Sequence, residues 1–317
     1  MSHRDSFIKR NMDLSQPMDL MNVGFVGAAA VVPDPIDRGV FAGGSGNKNI
    51  MDYIELLTTG NATDFGNLTV GRGQLAGLAS DTRGLFGGGN GNKNVIDYIT
   101  IANTGNATDF GNLQSGRETY ASASNGTRGV WMGGHGASYR TIDYVTIATT
   151  GNASSFGLLV VGQHMGANGE ISSDTRGISA GGNESTQDQI EYITIATTGN
   201  ATSFGTMQRD IGRLSGACSS DTRGLIAGGY HGSMHDEIEY LTIATTGNSS
   251  VFGDLTVGRY ALTGCAGGGR GCFAGGAGSD HTIDYVTIST TGNAASFGNL
   301  TAGGRFNIAG LAGNAYA

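Results

Sequence analysis

Proline is nearly missing from this chain, at 3 of 317 residues, and its 57 glycines follow no Gly-X-Y period. Collagen-like and proline-rich disordered chains are thereby excluded. Charge is sparse too. With 14% charged and 38% hydrophobic residues, the chain can bury a core and lacks the charge density of a disordered segment. The net charge of −8 and a pI near 5.1 argue against a general nucleic-acid binder or a binder of anionic membranes. No apolar run reaches the ~18 residues of a membrane helix, so no membrane insertion is expected. The start, MSHRDSFIKRNMDLSQPMDL, carries no apolar core followed by a cleavage site, so no secretory signal is read there. Three cysteines do not make a disulfide framework. Cys265 and Cys272 can face each other across a hairpin, and buried free thiols are the expectation. A long 3.6-residue periodicity is also lacking, whereas Thr, Ile, Tyr and Val at alternating positions favour strands.

What the sequence does contain is a period. An Arg-Gly pair recurs at Arg38, Arg83, Arg128, Arg176, Arg223 and Arg270, with spacings of 45, 45, 48, 47 and 47. Each pair opens a short apolar run that ends on glycine, as in RGVFAGG and RGVWMGG. A variable loop follows, then an acid and a tyrosine: Tyr53, Tyr98, Tyr144, Tyr192, Tyr240 and Tyr285. A phenylalanine stands 12 residues after every one of these tyrosines. The unit closes with segments like GNLTVGR and QLAGLAS. This predicts four short strands per unit, joined at SDTRG and TTGNAT by turn-forming Gly, Asn and Asp. Such a sheet cannot bury both faces alone, but repeated around an axis it packs between two neighbours.

These residues resemble the Kelch family: the glycine doublet, the tyrosine, the later aromatic, and an arginine before the small-residue strand (Arg72, Arg117, Arg213, Arg259, Arg305). The later aromatic is Phe rather than the usual Trp, and Gln163 stands where the third arginine is expected. A WD40 reading would want Trp-Asp pairs, and the one tryptophan, Trp131, lies elsewhere in the unit. The resemblance implies an all-β, six-bladed propeller of four antiparallel strands per blade over residues 38–317. The C-terminal strand near Ile308–Leu311 would pair inside the first blade and close the ring, removing exposed sheet edges.

Most charged residues belong to the repeat, and a residue needed once for catalysis would not recur six times at one strand position. The glycine-rich GGSGNKN and GGGNGNKN lack the Gly-Lys-Ser/Thr and helix of a phosphate loop. His231, His235 and Asp236 share one loop but fall short of a zinc ligand set with its support. The Asn-x-Ser/Thr triplets at Asn61, Asn106, Asn152, Asn200 and Asn248 read as turns rather than glycosylation sites. Neither enzyme activity nor a cofactor or metal is expected.

The copies differ most in one set of loops: SGNKN, NGNKN, HGASYR, NESTQDQ, YHGSMHDE and GSDH. One face thus reads as a repeated scaffold and the other as a site fitted to an asymmetric partner. Lys48, Lys93, Tyr139, Arg140, Tyr230 and His231 are the candidate contacts. The repeat style is also similar to Kelch-type virion proteins of tailed phages, marine and cyanobacterial ones especially. That resemblance implies a tail, neck, fibre, host-contact or capsid-decorating component, assembled in the host cytoplasm and bound to other virion proteins, with a host-surface glycan or protein as a further partner. A carbohydrate-binding module and a cellular Kelch adaptor are the alternatives.

Residues 1–37 lie outside the repeat. A basic start leads into MDLMNVGFVGAAAVV, an apolar run too short to cross a membrane, and two readings stand: an extra strand or cover over the disc, and an anchoring arm that orders on assembly. On the anchor reading, a chain beginning at Ile36 should keep the β-type circular dichroism and cooperative melting of the full chain yet fail to join its complex. Normal assembly of the truncated chain removes the anchor reading.

Overall fold

The computed structural model describes residues 37–313 apart from 119, 137–138, 164, 182–187, 210–213, 279–280 and 302. The expected arm, save its last residue, and Arg213 lie outside the described residues. The fold is an all-β propeller, with no helix among the described residues. In each unit a strand of the type Arg38–Ala42 pairs antiparallel with one of the type Ile50–Glu55, which pairs with one of the type Thr63–Asn67. An inner strand of small residues, such as Ala76–Ala79 before Arg83–Gly87, pairs on the other side. The C-terminal strand, Ala309–Ala312, pairs antiparallel with Arg38–Ala42, setting Leu311 opposite Val40.

A single irregularity sets the aromatic spacing. In every unit the pairing of the third and outer strands slips one residue just before the acid, as between Met51 and Asp52. The skipped residue is the phenylalanine: Met51 faces Gly66 and Asp52 faces Asp64, leaving Phe65 unpaired. A bulge of this kind re-aims a side chain, and here it turns each Phe inward. Every Phe meets its unit's tyrosine edge-on, with centroids 5.9 to 6.2 Å apart. Such pairs contribute roughly 0.5–1.5 kcal/mol beyond their burial.

The other face of each tyrosine is covered by the Arg-Gly arginine, 4.4 to 4.7 Å from the ring centroid. The same guanidinium then donates to a carbonyl of the following unit. Arg38 reaches Ala102 at 2.8 Å, Arg83 reaches Ala148 at 2.9 Å, and Arg270 returns to Leu56 of the first unit at 3.1 Å. The buried apolar residues follow the same rule. They gather into six clusters, each shared by two successive units, and one joins Phe41 and Leu56 to Cys272 and Phe297.

A second set of arginines is fully buried. Arg72–Asp97, Arg117–Asp143, Arg259–Asp284 and Arg305–Asp52 are ion pairs of 2.5 to 2.8 Å, with at most 1% side-chain exposure. Arg72 also donates to the carbonyls of Gly88 and Phe86, tying an inner strand to the glycine doublet beside it.

The expectation of four antiparallel strands in each unit needs one correction. The inner strand Asn168–Glu170 pairs in parallel with Ala121–Ser124 and Gly216–Ser219, so two units merge into a nine-stranded sheet. Arg176–Ala180 is left in a three-stranded sheet. The cause is local. Asn168 donates its side-chain amide to the Ile308 carbonyl at 2.8 Å, and a Cβ on Gly169 would lie 2.0 Å from the Ala217 carbonyl oxygen. The middle of this segment is therefore pulled toward the other inner strands. Its ends still bond the three-stranded sheet, through Ala167 to Ala180 and Ile178 to Ile171.

Cys265 and Cys272 do stand opposite each other on paired strands, and with Cys218 they are free and buried. Their mutual hydrogen bond, followed by burial, pushes the Cys265 thiol far above its usual range.

Replacing Arg72 by Met should cost roughly 3–5 kcal/mol in urea unfolding, since Asp97 would stay buried without its cation. The R72M/D97L double variant should recover much of that loss. A cost below about 1 kcal/mol for the single variant would show that the pair does not anchor its unit.

Candidate functional site

The variable loops begin at the glycine doublets, and the reason is steric. Gly43 has φ +74°, and a Cβ there would sit 2.4 Å from the Arg72 carbonyl oxygen. The chain thus turns out of the sheet at the point where the buried arginine passes. From there each loop is free to differ.

Lys48 and Lys93 stand at matching points of the first two loops, each half-buried. Their carbonyls accept the backbone N–H of Arg72 and Arg117 at 3.0 and 3.2 Å. Asn90 donates to Asn47 at 2.8 Å, so these two loops form one ledge. The third loop adjoins it: Glu118 bonds the His135 carbonyl at 2.8 Å, and His135 stacks on Tyr139 with centroids 5.8 Å apart. Tyr139 is 41% exposed.

Arg140 has a structural reason to be where it is. Gln163 replaces the buried arginine here; its carbonyl oxygen accepts from Ser179 and its amide nitrogen has no partner. The acid of that unit is Glu191, whose longer side chain accepts the backbone N–H groups of Val160 and Val161, both at 2.7 Å. Burial raises its pKa, while those two bonds and the Arg140 charge hold the rise in check. Arg140 also donates to the Leu159 carbonyl at 2.6 Å.

Tyr230 and His231 belong to a different group. The variable loop YHGSMHDE forms a small hairpin, Tyr230–His231 against Ser233–Met234. Tyr230 packs on Tyr260 at 5.2 Å, and Met234 is 47% exposed. His235 bonds Glu237 at 3.1 Å and lies 3.5 Å from the His231 carbonyl. Burial alone would raise the Glu237 carboxyl, but its own backbone N–H, His235 and Arg209 together bring it below its ordinary value. His231, His235 and Asp236 do not converge, and among the described residues no group of three His, Cys, Asp or Glu is placed to hold a metal. The six candidates thus fall into a ledge of Lys48, Lys93, Tyr139 and Arg140, and a projecting hairpin of Tyr230 and His231. Glu118, His135, Met234 and Tyr260 were missed. Of these, His135 and Met234 sat in loops already singled out by their variability.

On the repeated side, the asparagines of the TTGN turns are structural. Asn106 accepts the backbone N–H of Asn67 at 3.1 Å, and Asn61 accepts that of Asn299 at 3.0 Å. The glycine after each Phe makes this possible: a Cβ on any of the six would lie 2.1 to 2.3 Å from the next turn's carbonyl oxygen. Compared with known proteins, the chain matches no family model, and no curated protein matches it.

The Glu191 environment gives a pH test. Its folded-state pKa is raised, so the folded protein holds that proton longer than the unfolded chain, and stability should fall as pH rises past the ordinary value of 4.5. E191Q should flatten that part of the urea-midpoint profile, and Arg140→Leu should steepen it. An unchanged profile in E191Q would assign the slope to other groups.

Proposed function

We propose that this protein is a non-enzymatic interaction scaffold: a six-bladed, Kelch-like propeller, closed by its C-terminal strand, that serves as a structural or host-contact component of a tailed-phage virion. The ring reading rests on contacts that return from the last unit to the first. Arg305 pairs with Asp52, Arg270 bonds Leu56, Asn61 caps Asn299, and Ala309–Ala312 pairs with Arg38–Ala42.

The observation that carries the functional reading is the contrast between the two sides of one frame. The same bulge and Tyr–Phe–Arg stack recur six times. On that frame the loops after the glycine doublets differ in length, charge and shape, from the Asn47–Asn90 ledge to the Tyr230–Met234 hairpin. A rigid frame holding divergent loops is suited to binding one asymmetric partner. Exposed Tyr139, Tyr230 and Met234 offer the aromatic and methionine surface that interface centres favour. Other virion proteins are the primary partners under this reading.

Mass spectrometry of purified particles should find the chain at fixed copy number. Tyr139→Ala and Tyr230→Ala should each leave the melting temperature within a degree or so and weaken incorporation about tenfold. Full incorporation of the double variant overturns the role of this face. Absence of the chain from particles overturns the virion assignment.

A further inference from the structure

Two cavities of about 340 Å³ each occupy the same place in successive units, on the side opposite the variable loops. One is lined by Phe204, Tyr240, Thr242, Thr245, Asn248 and Ser250. The other is lined by Phe156, Tyr192, Thr194, Thr197, Asn200 and Thr202. In each, the Phe comes from one unit and the remainder from the next, so the cavity exists only where two units meet.

The frame accounts for part of this lining. Asn248 and Asn200 use their carbonyl oxygens to accept the backbone N–H of Thr206 and Leu158, both at 3.0 Å. Both asparagines are exposed, and their amide NH2 groups are not used in those bonds. The threonines are not accounted for. Thr245 and Thr197 shape the turn through backbone bonds to Thr242 and Thr194, which any residue could make. Both side chains are exposed. Yet this position reads Thr58, Asn103, Thr149, Thr197, Thr245 and Thr290 across the units, while the loops on the other side have diverged within the same chain. A hydroxyl or amide is retained in water where the fold does not need one.

The lining is also uncharged, which disfavours phosphate, carboxylate or ammonium ligands. An added peptide strand is disfavoured as well, because the outer-strand N–H groups beside these cavities are already capped by the asparagines. Uncharged donors and acceptors beside two aromatic rings match a ligand with alternating hydroxyls and C–H surface. We infer that these inter-unit cavities are repeated binding sites for neutral saccharides, each taking one sugar residue of a longer glycan. The first unit departs, since Glu55 stands where the others carry threonine, so its site is expected to be the weakest. Sites of low individual affinity on one rigid frame gain strength by engaging a repeating polymer together.

The inference is independent of the virion assignment: a saccharide-binding propeller outside any particle passes its test, and a virion protein without saccharide affinity fails it. The full chain is to be applied to an array of neutral and acidic oligosaccharides, and the best neutral binder titrated by calorimetry. The expected result is retention of neutral rather than acidic glycans, with more than one site per chain. T197V/T245V keeps the shape and removes two hydroxyls; it should leave the melting temperature unchanged and lower the stoichiometry by about two sites. No neutral glycan retained, a single site per chain, or a stoichiometry unmoved by the double variant would each overturn it.

Discussion

A guanidinium is planar and carries five N–H donors that cannot be switched off near neutral pH, so burying one obliges the chain to supply acceptors. This propeller places two arginines per unit under that constraint at most of its joints, and much of its order follows. The Arg-Gly arginine lies over a tyrosine and donates to the next unit's carbonyls, as Arg83 does to Ile147 and Ala148. The inner arginine is surrounded by an aspartate and by carbonyls of the second strand, as Arg117 is by Asp143, Gly133 and Trp131. The first set lies on the next sheet, whereas the second lies on the sheet that the arginine's own inner strand joins. Adjacent units are therefore held by bonds that would be costly to leave unmade.

Crowding at the inner strands is the second constraint. Gly77, Gly264 and Gly310 each approach a neighbouring backbone oxygen so closely that a Cβ would lie within 2.4 to 2.6 Å of it. Six identical small strands would serve this geometry symmetrically, and the fourth does not. Asn168–Glu170 leaves its own sheet to bond two neighbours in parallel, and Glu170 accepts from the Ala79 backbone at 3.3 Å. The same unit lacks the buried arginine, having Gln163 in its place. The two departures are adjacent in sequence: the inner strand that bends toward its neighbours follows Gln163, where Arg72, Arg117, Arg259 and Arg305 form ion pairs elsewhere. Arg140, outside, supplies the charge that the interior omits.

Much of this was legible in the sequence because the repeat writes each constraint six times. The Tyr-to-Phe spacing of 12 residues, the glycine doublets and the Arg-Gly pairs each answer to one contact. The pairing of the C-terminal strand with Arg38–Ala42 was legible from where the repeat begins and ends. The parallel pairing at Asn168 was not, because it depends on what lies across the inner strands rather than along the chain. The hairpin at Tyr230–Met234 was hidden for a related reason: YHGSMHDE has no periodic pattern, and its form follows from a Gly232 turn and the Tyr260 ring beneath it. The candidate loop residues were found by variability, which locates a surface without showing which of its side chains lie together.

The two faces carry opposite relations between sequence and structure. After the glycine doublet the chain has left the sheet and is held largely by backbone bonds, such as Arg72 to Lys48, that do not specify a side chain, so substitutions there change the surface without disturbing the frame. In the TTGN turns the restraint is severe. The turn backbone lies against the preceding unit's Phe-Gly dipeptide, the asparagine caps its edge, and insertion of one atom at the glycine would separate two units. A protein built this way can alter one surface freely and the other hardly at all. The threonine side chains are the exception, since the turn is restrained through the backbone and the asparagines rather than through them.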